Sequence, residues 1–61
     1  MNLYLVKRYL IRDCNGLLIK YTRYASGNCT KKTMTAGAKS VSIPVSELEY
    51  ALNHMEVLQE Y

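Results

Sequence analysis

A tight-turn sequence, Asp13-Cys14-Asn15-Gly16, is the feature that most constrains the fold of this chain. It separates two segments rich in β-formers, residues 3–12 (LYLVKRYLIR) and residues 17–25 (LLIKYTRYA). Aspartate is favoured at the first position of a type I turn, and glycine adopts the left-handed conformation that closes a three-residue loop with a β-bulge. We therefore predict an antiparallel hairpin over residues 3–12 and 17–25.

The length of that loop decides which side chains share a face, because a shift of one residue in the pairing exchanges the two faces. A two-residue turn at Asn15-Gly16 would place Arg8 opposite Arg23, and like charges directly across a strand pair are unfavourable. The three-residue loop instead pairs apolar and aromatic side chains with each other. The pairs expected from it are Ile11 with Ile19, Tyr9 with Tyr21, and Leu5 with Ala25.

This register divides the hairpin into an apolar face, which we expect to lie on the core, and a mixed face. The apolar face comprises Leu3, Leu5, Tyr9, Ile11, Leu17, Ile19 and Tyr21. Its one unfavourable feature is that Lys7 lies near Arg23, which has the same charge. The mixed face comprises Tyr4, Val6, Arg8, Leu10, Arg12, Leu18, Lys20, Thr22 and Tyr24. Basic side chains interleaved with aromatic and aliphatic ones suit contact with phosphate and sugar or with an acidic protein. The alternative is an ordinary exposed face, on which the Arg and Lys stems cover the aliphatic groups.

The middle of the chain, residues 26–40 (SGNCTKKTMTAGAKS), is polar, small and basic. It fits either a weak third strand near residues 30–35 or a mobile loop. In either case Lys31 and Lys32 are candidates for partner binding, since loops of this kind often carry binding residues.

A short strand is predicted near residues 40–45. Val41, Ile43 and Val45 alternate there with serines, as expected for a strand with one apolar face. Pro44 lacks the N–H that a sheet ladder needs, so this strand is expected to lie at an edge of the sheet or to end at the proline.

A capping box predicts where a helix begins. Ser46 is placed to cap the first turn and Glu49, three residues later, to return the hydrogen bond, with Val45 and Tyr50 as the hydrophobic staple. We therefore predict a helix over residues 47–60. One stripe of that helix is apolar and is expected to lie across the sheet. Its members, at 100° per residue, are Leu48, Ala51, Leu52, Met55 and Leu58.

A second stripe of the same helix lies about 120° around from the first. Its members are Tyr50, His54, Val57 and Tyr61. One sheet does not easily bury both stripes, and tyrosine is enriched at interfaces, so we interpret the second stripe as a contact surface for a second copy or another partner. The alternative is that Tyr50 and Val57 wrap the edge of the core while His54 and Tyr61 stay exposed.

Charge is segregated along the chain. All eight Lys and Arg residues and one of the five acids lie in residues 1–45, whereas the other four acids lie in residues 46–61. A basic body of this kind attracts nucleic acid or acidic protein surfaces. The alternative is that the two segments partly neutralise each other in the fold.

The two cysteines are predicted to be free thiols. Cys14 lies at the hairpin tip, and Cys29 follows a strand about 30 Å long that begins near Cys14. A disulfide needs Cα atoms about 4.4–6.8 Å apart. Free thiols are typical of a reducing compartment, and bases interrupt the N-terminal apolar stretch that a signal peptide would need, so we expect a cytoplasmic protein with no membrane segment.

No catalytic or cofactor motif is recognised. Two cysteines and the lone His54 lack the paired spacings of a zinc site, and the three glycines lack the spacing of a phosphate-binding loop. His54 has no nucleophile at a readable spacing. We therefore expect neither an enzyme nor a metal, cofactor or small-molecule substrate.

The expected fold is α+β, a single small domain over residues 1–61 with an antiparallel sheet of three to four short strands packed against one C-terminal helix. This order of elements resembles the small arm-binding domains at the front of phage and transposon integrases, which lay a three-stranded sheet against DNA. The resemblance is one of architecture and carries over no residue.

We expect a protein that binds a partner and catalyses no reaction. The first hypothesis is a small protein, phage or mobile-element encoded, that modulates or inhibits a larger partner through protein–protein contacts or forms a homodimer. The alternative is a nucleic-acid-binding module using the basic sheet face. The four C-terminal carboxylates weaken attraction to phosphate, which places the protein partner first. The residues expected to contact either partner are Tyr4, Arg8, Arg12, Lys20, Tyr24, Lys31 and Lys32.

Overall fold

The computed structural model describes residues 5–61, with side chains from residue 7 onward. Over that range the chain forms a five-stranded antiparallel sheet and one helix, which confirms the α+β class but exceeds the three to four strands predicted. The predictions for Leu3 and Tyr4, and for the side chains of Leu5 and Val6, lie outside the described part of the chain. The elements in order are β1 (Leu5–Arg12), β2 (Leu18–Tyr24), β3 (Cys29–Thr33), β4 (Val41–Ile43), α1 (Val45–His54) and β5 (Glu56–Glu60).

The strand order across the sheet is β4-β3-β2-β1-β5. The first four strands form a meander in which each strand pairs antiparallel with the next. Helix α1 then carries the chain from β4 at one edge to the opposite edge, where β5 pairs antiparallel with β1. The helix therefore crosses one face of the sheet and leaves the other face without a covering element among residues 5–61.

The loop between β1 and β2 has the predicted three-residue geometry. The Gly16 N–H donates to the Asp13 carbonyl at 3.0 Å, and the Asp13 N–H donates to the Leu17 carbonyl at 2.9 Å. Gly16 has φ +83°, the left-handed conformation that the bulge requires. The Asp13 carboxylate accepts hydrogen bonds from the N–H groups of Asn15 and Leu17 at 2.9 and 2.8 Å, which fixes the turn further.

The predicted register is confirmed at its centre and wrong at one end. Tyr9 lies opposite Tyr21, and the neighbouring isoleucine pair also forms as predicted. An irregularity between Leu5 and Lys7 then places Leu5 opposite Tyr24 instead of Ala25. A bulge adds one residue to one strand only, so every pair beyond it shifts by one.

A second turn repeats the geometry of the first and makes a third strand. The Gly27 N–H donates to the Tyr24 carbonyl and the Tyr24 N–H to the Asn28 carbonyl, both at 2.9 Å, and Gly27 has φ +96°. Residues 29–33 consequently pair with β2. Of the two alternatives for residues 26–40, the strand is therefore correct for Cys29–Thr33, and residues 34–40 connect β3 to β4.

The predicted helix start is wrong. Pro44 occupies the N-cap position with an extended backbone, no side chain caps the helix, and the Glu47 N–H donates to the Pro44 carbonyl at 3.0 Å. Ser46 consequently lies inside the first turn, and neither the capping box with Glu49 nor the predicted staple forms. The fixed φ of proline suits the entry to a helix, which allows α1 to begin directly after it.

The predicted helix end is also wrong, because α1 stops at His54 instead of residue 60. Met55 is extended, and Glu56–Glu60 forms β5 along the edge of β1, with Val57 opposite Ile11. The apolar spacing of residues 55–60 fits a helix, but β1 would otherwise expose a row of unpaired backbone groups. Pairing that row, with a β-branched valine over Ile11, outweighs the local helical pattern.

The core lies between α1 and one face of the sheet, as predicted. Four of the helix-stripe residues contact it: Leu48 and Ala51 are buried, and Leu52 and Met55 are partly buried. Leu58 is the exception, since it lies in β5. Leu17 was predicted on the apolar face but is exposed beside the hairpin turn. The buried residues are Tyr9, Ile11, Ile19, Tyr21, Cys29, Leu48 and Ala51.

The cysteines differ in exposure. Cys29 belongs to the core, whereas Cys14 is exposed at the hairpin tip, and both are free thiols. With ten residues, α1 is too short to cross a membrane, and no other helix is found among the residues described.

Candidate binding surface on the open sheet face

We call the face of the sheet under α1 the covered face and the opposite one the open face. Strand residues alternate between them, so the neighbours of buried residues in the sequence point to the open face. Among side chains from residue 7 onward, none on the open face is buried. Those of the first four strands are Arg8, Leu10, Arg12, Leu18, Lys20, Thr22, Tyr24, Thr30, Lys32 and Ser42.

Two neighbouring rows of these side chains run across the strands. The hydroxyl row crosses all five strand positions, and its members in order are Tyr61, Arg8, Thr22, Thr30 and Ser42. The lysine row lies beside it, and its members are Gln59, Leu10, Lys20 and Lys32.

Tyr61 joins the hydroxyl row just beyond the end of β5. Its backbone exchanges two hydrogen bonds with Arg8, at 2.7 and 2.9 Å. The preceding residue, Glu60, reaches Lys7 on the covered face, so alternation places Tyr61 on the open face. Its side chain is 56% exposed.

Every polar side chain in the two rows is able to donate a hydrogen bond, and neither row contains a side-chain carboxylate. The hydroxyl groups and the Gln59 amide also accept hydrogen bonds, whereas Arg8, Lys20 and Lys32 only donate. Leu10 is the one apolar member. The surface is therefore complementary to a ligand that presents many acceptors and negative charge.

Three of the four glutamates in residues 46–61 form ion pairs, and the bases they pair with all lie outside these two rows. On the covered face, Glu60 lies 2.7 Å from Lys7, and Glu47 lies 2.7 Å from Lys31. The Glu60 hydrogen bond raises the pKa of Lys7, and the Glu47 hydrogen bond raises the pKa of Lys31. Lys31 is therefore a half-buried strand residue on the covered face and does not lie in a mobile connection.

Arg12 is on the open face, as predicted, but it does not stand alone. Its guanidinium lies 3.1 Å from the Glu56 carboxylate, the residue opposite it on β5. Both side chains are well exposed, so this pair contributes little to stability. The Arg12–Glu56 pair therefore adds no net charge to the part of the open face that lies beside the lysine row.

Arg8, Lys20 and Lys32 form no ion pair with any side chain that the structure describes. Lys20 lies directly opposite Lys32, and like charges in that position are destabilising. Arg8 is a diagonal neighbour of Lys20 on the same face. Three cations are thus held together without a compensating acid.

The two other bases without an ion pair in residues 5–61 lie elsewhere. Arg23 is opposite the buried Cys29, which places it on the covered side of the sheet, where it is exposed. Lys39 is exposed in the connection between β3 and β4. These two residues provide a natural comparison for the cations of the open face.

The predicted stripe of Tyr50, His54, Val57 and Tyr61 does not exist, because the helix ends at His54. Tyr50 and His54 remain on the outer side of α1, where their rings stack with centroids 4.1 Å apart, and His54 Nδ1 lies 3.0 Å from the Tyr50 carbonyl. Val57 lies opposite Ile11 on the covered face, and Tyr61 belongs to the open face.

Sequence reasoning missed Thr30, Ser42 and Gln59. The first two required the third strand, whose signal is the recurrence of a glycine at the fourth turn position, Gly16 and then Gly27. Gln59 required the fifth strand, for which the sequence gives no signal that distinguishes it from a helix.

Other kinds of site are not found in this structure. No cavity is found over residues 5–61, and no group of three or more His, Cys, Asp and Glu side chains there is close enough to hold a metal ion. No model of a known protein family, no curated protein and no solved structure matches this chain.

Proposed function

We propose that this chain is a non-catalytic binding module that holds an anionic macromolecular partner against the open face of its sheet. The observation that carries the proposal is the pair of rows that cross the sheet. Among the side chains that the structure describes, the rows contain three cations without ion pairs and no carboxylate. Such a surface attracts a negatively charged partner and orients it during association.

An acidic protein surface is one partner that fits. Its carboxylates would pair with Arg8, Lys20 and Lys32, while the half-buried Leu10 and Tyr24 add apolar contact. In that case the chain modulates or inhibits a larger protein by occupying its surface. This effect requires no catalytic activity of the chain itself.

A nucleic acid is the second candidate, and the hydroxyl row favours it. Hydroxyl, guanidinium and ammonium groups are the side-chain donors that commonly contact phosphate and sugar. Judged from the sequence, the carboxylates of Glu47, Glu49, Glu56 and Glu60 weaken the attraction to phosphate. None lies in either row, and three of them are paired with bases.

The test compares two variants with the same change in net charge. Lys20→Gln/Lys32→Gln removes two cations from the open face, and Arg23→Gln/Lys39→Gln removes two from elsewhere. We expect the first variant to lose retention on immobilised polyglutamate or DNA at low salt, and the second to remain close to the parent chain. Equal losses in the two variants would mean that net charge alone governs binding, and the open-face proposal would be wrong.

A further inference from the structure

We infer that the anionic partner of the open face is a single-stranded nucleic acid, laid across the strands along the hydroxyl and lysine rows. This inference rests on the proposed function and adds the class of partner. It is carried by three features of the described residues: the continuity of the two rows, the shape of the face, and the position of two tyrosines.

The rows suit a chain of phosphates better than a protein surface. Five strands about 4.8 Å apart span roughly 19 Å, and the hydroxyl row offers a donor at every strand position. A phosphodiester chain presents acceptors at each repeat and no donor. A protein surface also brings ammonium and guanidinium groups, for which neither row provides a side-chain carboxylate.

The shape of the face argues against a duplex. The major groove of B-DNA is about 12 Å wide and admits a helix or a two-stranded ribbon. Here the two rows lie on a five-stranded sheet, which is too wide to enter that groove. A duplex would touch such a face only along its outer backbone.

No other element of residues 5–61 is suited to reading a groove. Helix α1 (VSELEYALNH) contains no Lys or Arg, and one side of it packs on the core. The hairpin tip, residues 13–17, contains an aspartate and no base. Arg8, Lys20 and Lys32 therefore lie together where a flexible single strand reaches them and a groove does not.

Tyr24 and Tyr61 provide surfaces for bases. Tyr61 ends the hydroxyl row at the β5 edge, and Tyr24 lies two residues along β2 from Thr22, on the same face. Unpaired bases stack on aromatic side chains in a largely sequence-independent way. With phosphates on the two rows, bases of the same strand reach these rings.

The experiment measures fluorescence anisotropy of a labelled oligothymidylate of about 12 nucleotides, within the range of known single-strand site sizes. A duplex of equal length and polyglutamate serve as competitors. We expect the single strand to bind more tightly than the duplex. The logarithm of its affinity should fall with log salt with a slope of about −2, as expected for three phosphate contacts at about 0.7 each.

Two pairs of variants locate the contacts. Lys20→Gln/Lys32→Gln should reduce the salt slope by about 1.4, and Arg23→Gln/Lys39→Gln should leave it unchanged. Tyr61→Leu should weaken binding at least about fivefold, the loss expected for one stacked base. Tyr50→Leu is the matched control, because Tyr50 is 57% exposed and Tyr61 56% exposed, but Tyr50 lies on the helix.

The outcomes separate this inference from the proposed function. Equal or tighter binding of the duplex, or an equal effect of Tyr61→Leu and Tyr50→Leu, overturns the single-strand inference and leaves an anion-binding face. Binding of polyglutamate alone, dependent on Lys20 and Lys32, identifies an acidic protein partner and also overturns it. If no polyanion binds in a manner that depends on Lys20 and Lys32, the proposed function fails as well.

Discussion

The covered and open faces of the sheet are made from alternate residues of the same strands, yet they differ in what they contribute. Tyr9 and Ile11 are 9% and 0% exposed under the helix, whereas Arg8, between Lys7 and Tyr9 in the sequence, is exposed on the other side. Stability therefore depends mainly on the covered face. The open face is free to hold groups that contribute little to folding, including lysines that repel each other.

The ion pairs follow the same division. Lys7–Glu60 and Lys31–Glu47 lie on the covered face, and Arg12–Glu56 lies at the open edge beside β5. Acids from residues 46–61 thus pair with bases from β1 and β3. What remains on the open face is positive, because the cations there outnumber the acids that the fold brings to them.

Truncating one leucine on each side of the sheet should show the largest difference between the two faces. Leu48→Ala removes a side chain that is 2% exposed, and we expect it to lower the free energy of unfolding by about 2–5 kcal/mol. Leu10→Ala on the open face should cost clearly less, because Leu10 is only half-buried. Urea denaturation of both variants measures the difference, and equal losses would show that the open face is also part of a core.

A smaller effect is expected at the turn that determines which residues lie on each face. Gly16 has φ +83°, and an added Cβ would meet nothing within 4 Å, so its replacement is opposed by backbone conformation and not by crowding. Gly16→Ala should therefore cost about 1–2 kcal/mol.

Gly16→Asn is the control for that substitution, since asparagine tolerates the left-handed conformation better than alanine. Thermal unfolding of both variants measures the two costs, and that of Gly16→Asn should be the smaller. If the two variants lose equal stability, the conformational explanation of the turn is incorrect.

The hairpin was predictable because two independent signals agree on it. Turn chemistry at Asp13 and Gly16 selects the three-residue loop, and so does the pairing of apolar and aromatic side chains on one face. Charge repulsion does not decide between the loops, because the observed register places Lys7 opposite Arg23. The core stripe of α1 was also predictable, since periodicity reports burial directly. These are local signals, and the open face with Arg8, Lys20 and Tyr24 follows from them by alternation.

The rest of the surface depends on pairing between distant segments, which local patterns do not report. The apolar pattern of residues 56–60 fits a strand no better than a helix, and the unpaired edge of β1 decides in favour of the strand. The pairing of β5 with β1 also places Tyr61 on the open face and not on a helical stripe. Thr30 and Ser42 likewise join the surface only when β3 and β4 pair.

Alkaline pH provides a test of two groups on the covered face. Burial raises the pKa of Tyr21, and the hydrogen bond to Glu47 raises the pKa of Lys31. A pKa raised in the folded state contributes stability that is fully present below the unfolded value, about 10 for tyrosine and 10.4 for lysine, and is lost as pH rises through the folded value.

We therefore expect constant contributions from these two groups up to about pH 9.5 and a loss of stability above about pH 10. Tyr21→Phe should flatten this loss. Glu47→Gln should remove a smaller part, at most about 1 kcal/mol, because its pair with Lys31 is partly exposed. Urea midpoints measured across this range check the sign, and a stability that rises above pH 10 would contradict it.

The smallest effect expected is a gain in stability on the open face. Lys32→Gln removes the repulsion with Lys20 across the strand pair, and this should stabilise the fold by a few tenths to about 1 kcal/mol. Lys39→Gln, the control, removes the same charge from a loop and should change stability less. A substitution that strengthens the fold while weakening retention on a polyanion is the signature of a residue kept for binding. A loss of stability in Lys32→Gln would instead indicate that the lysine stem packs on the sheet, and the division between the two faces would then be less sharp than their burial suggests.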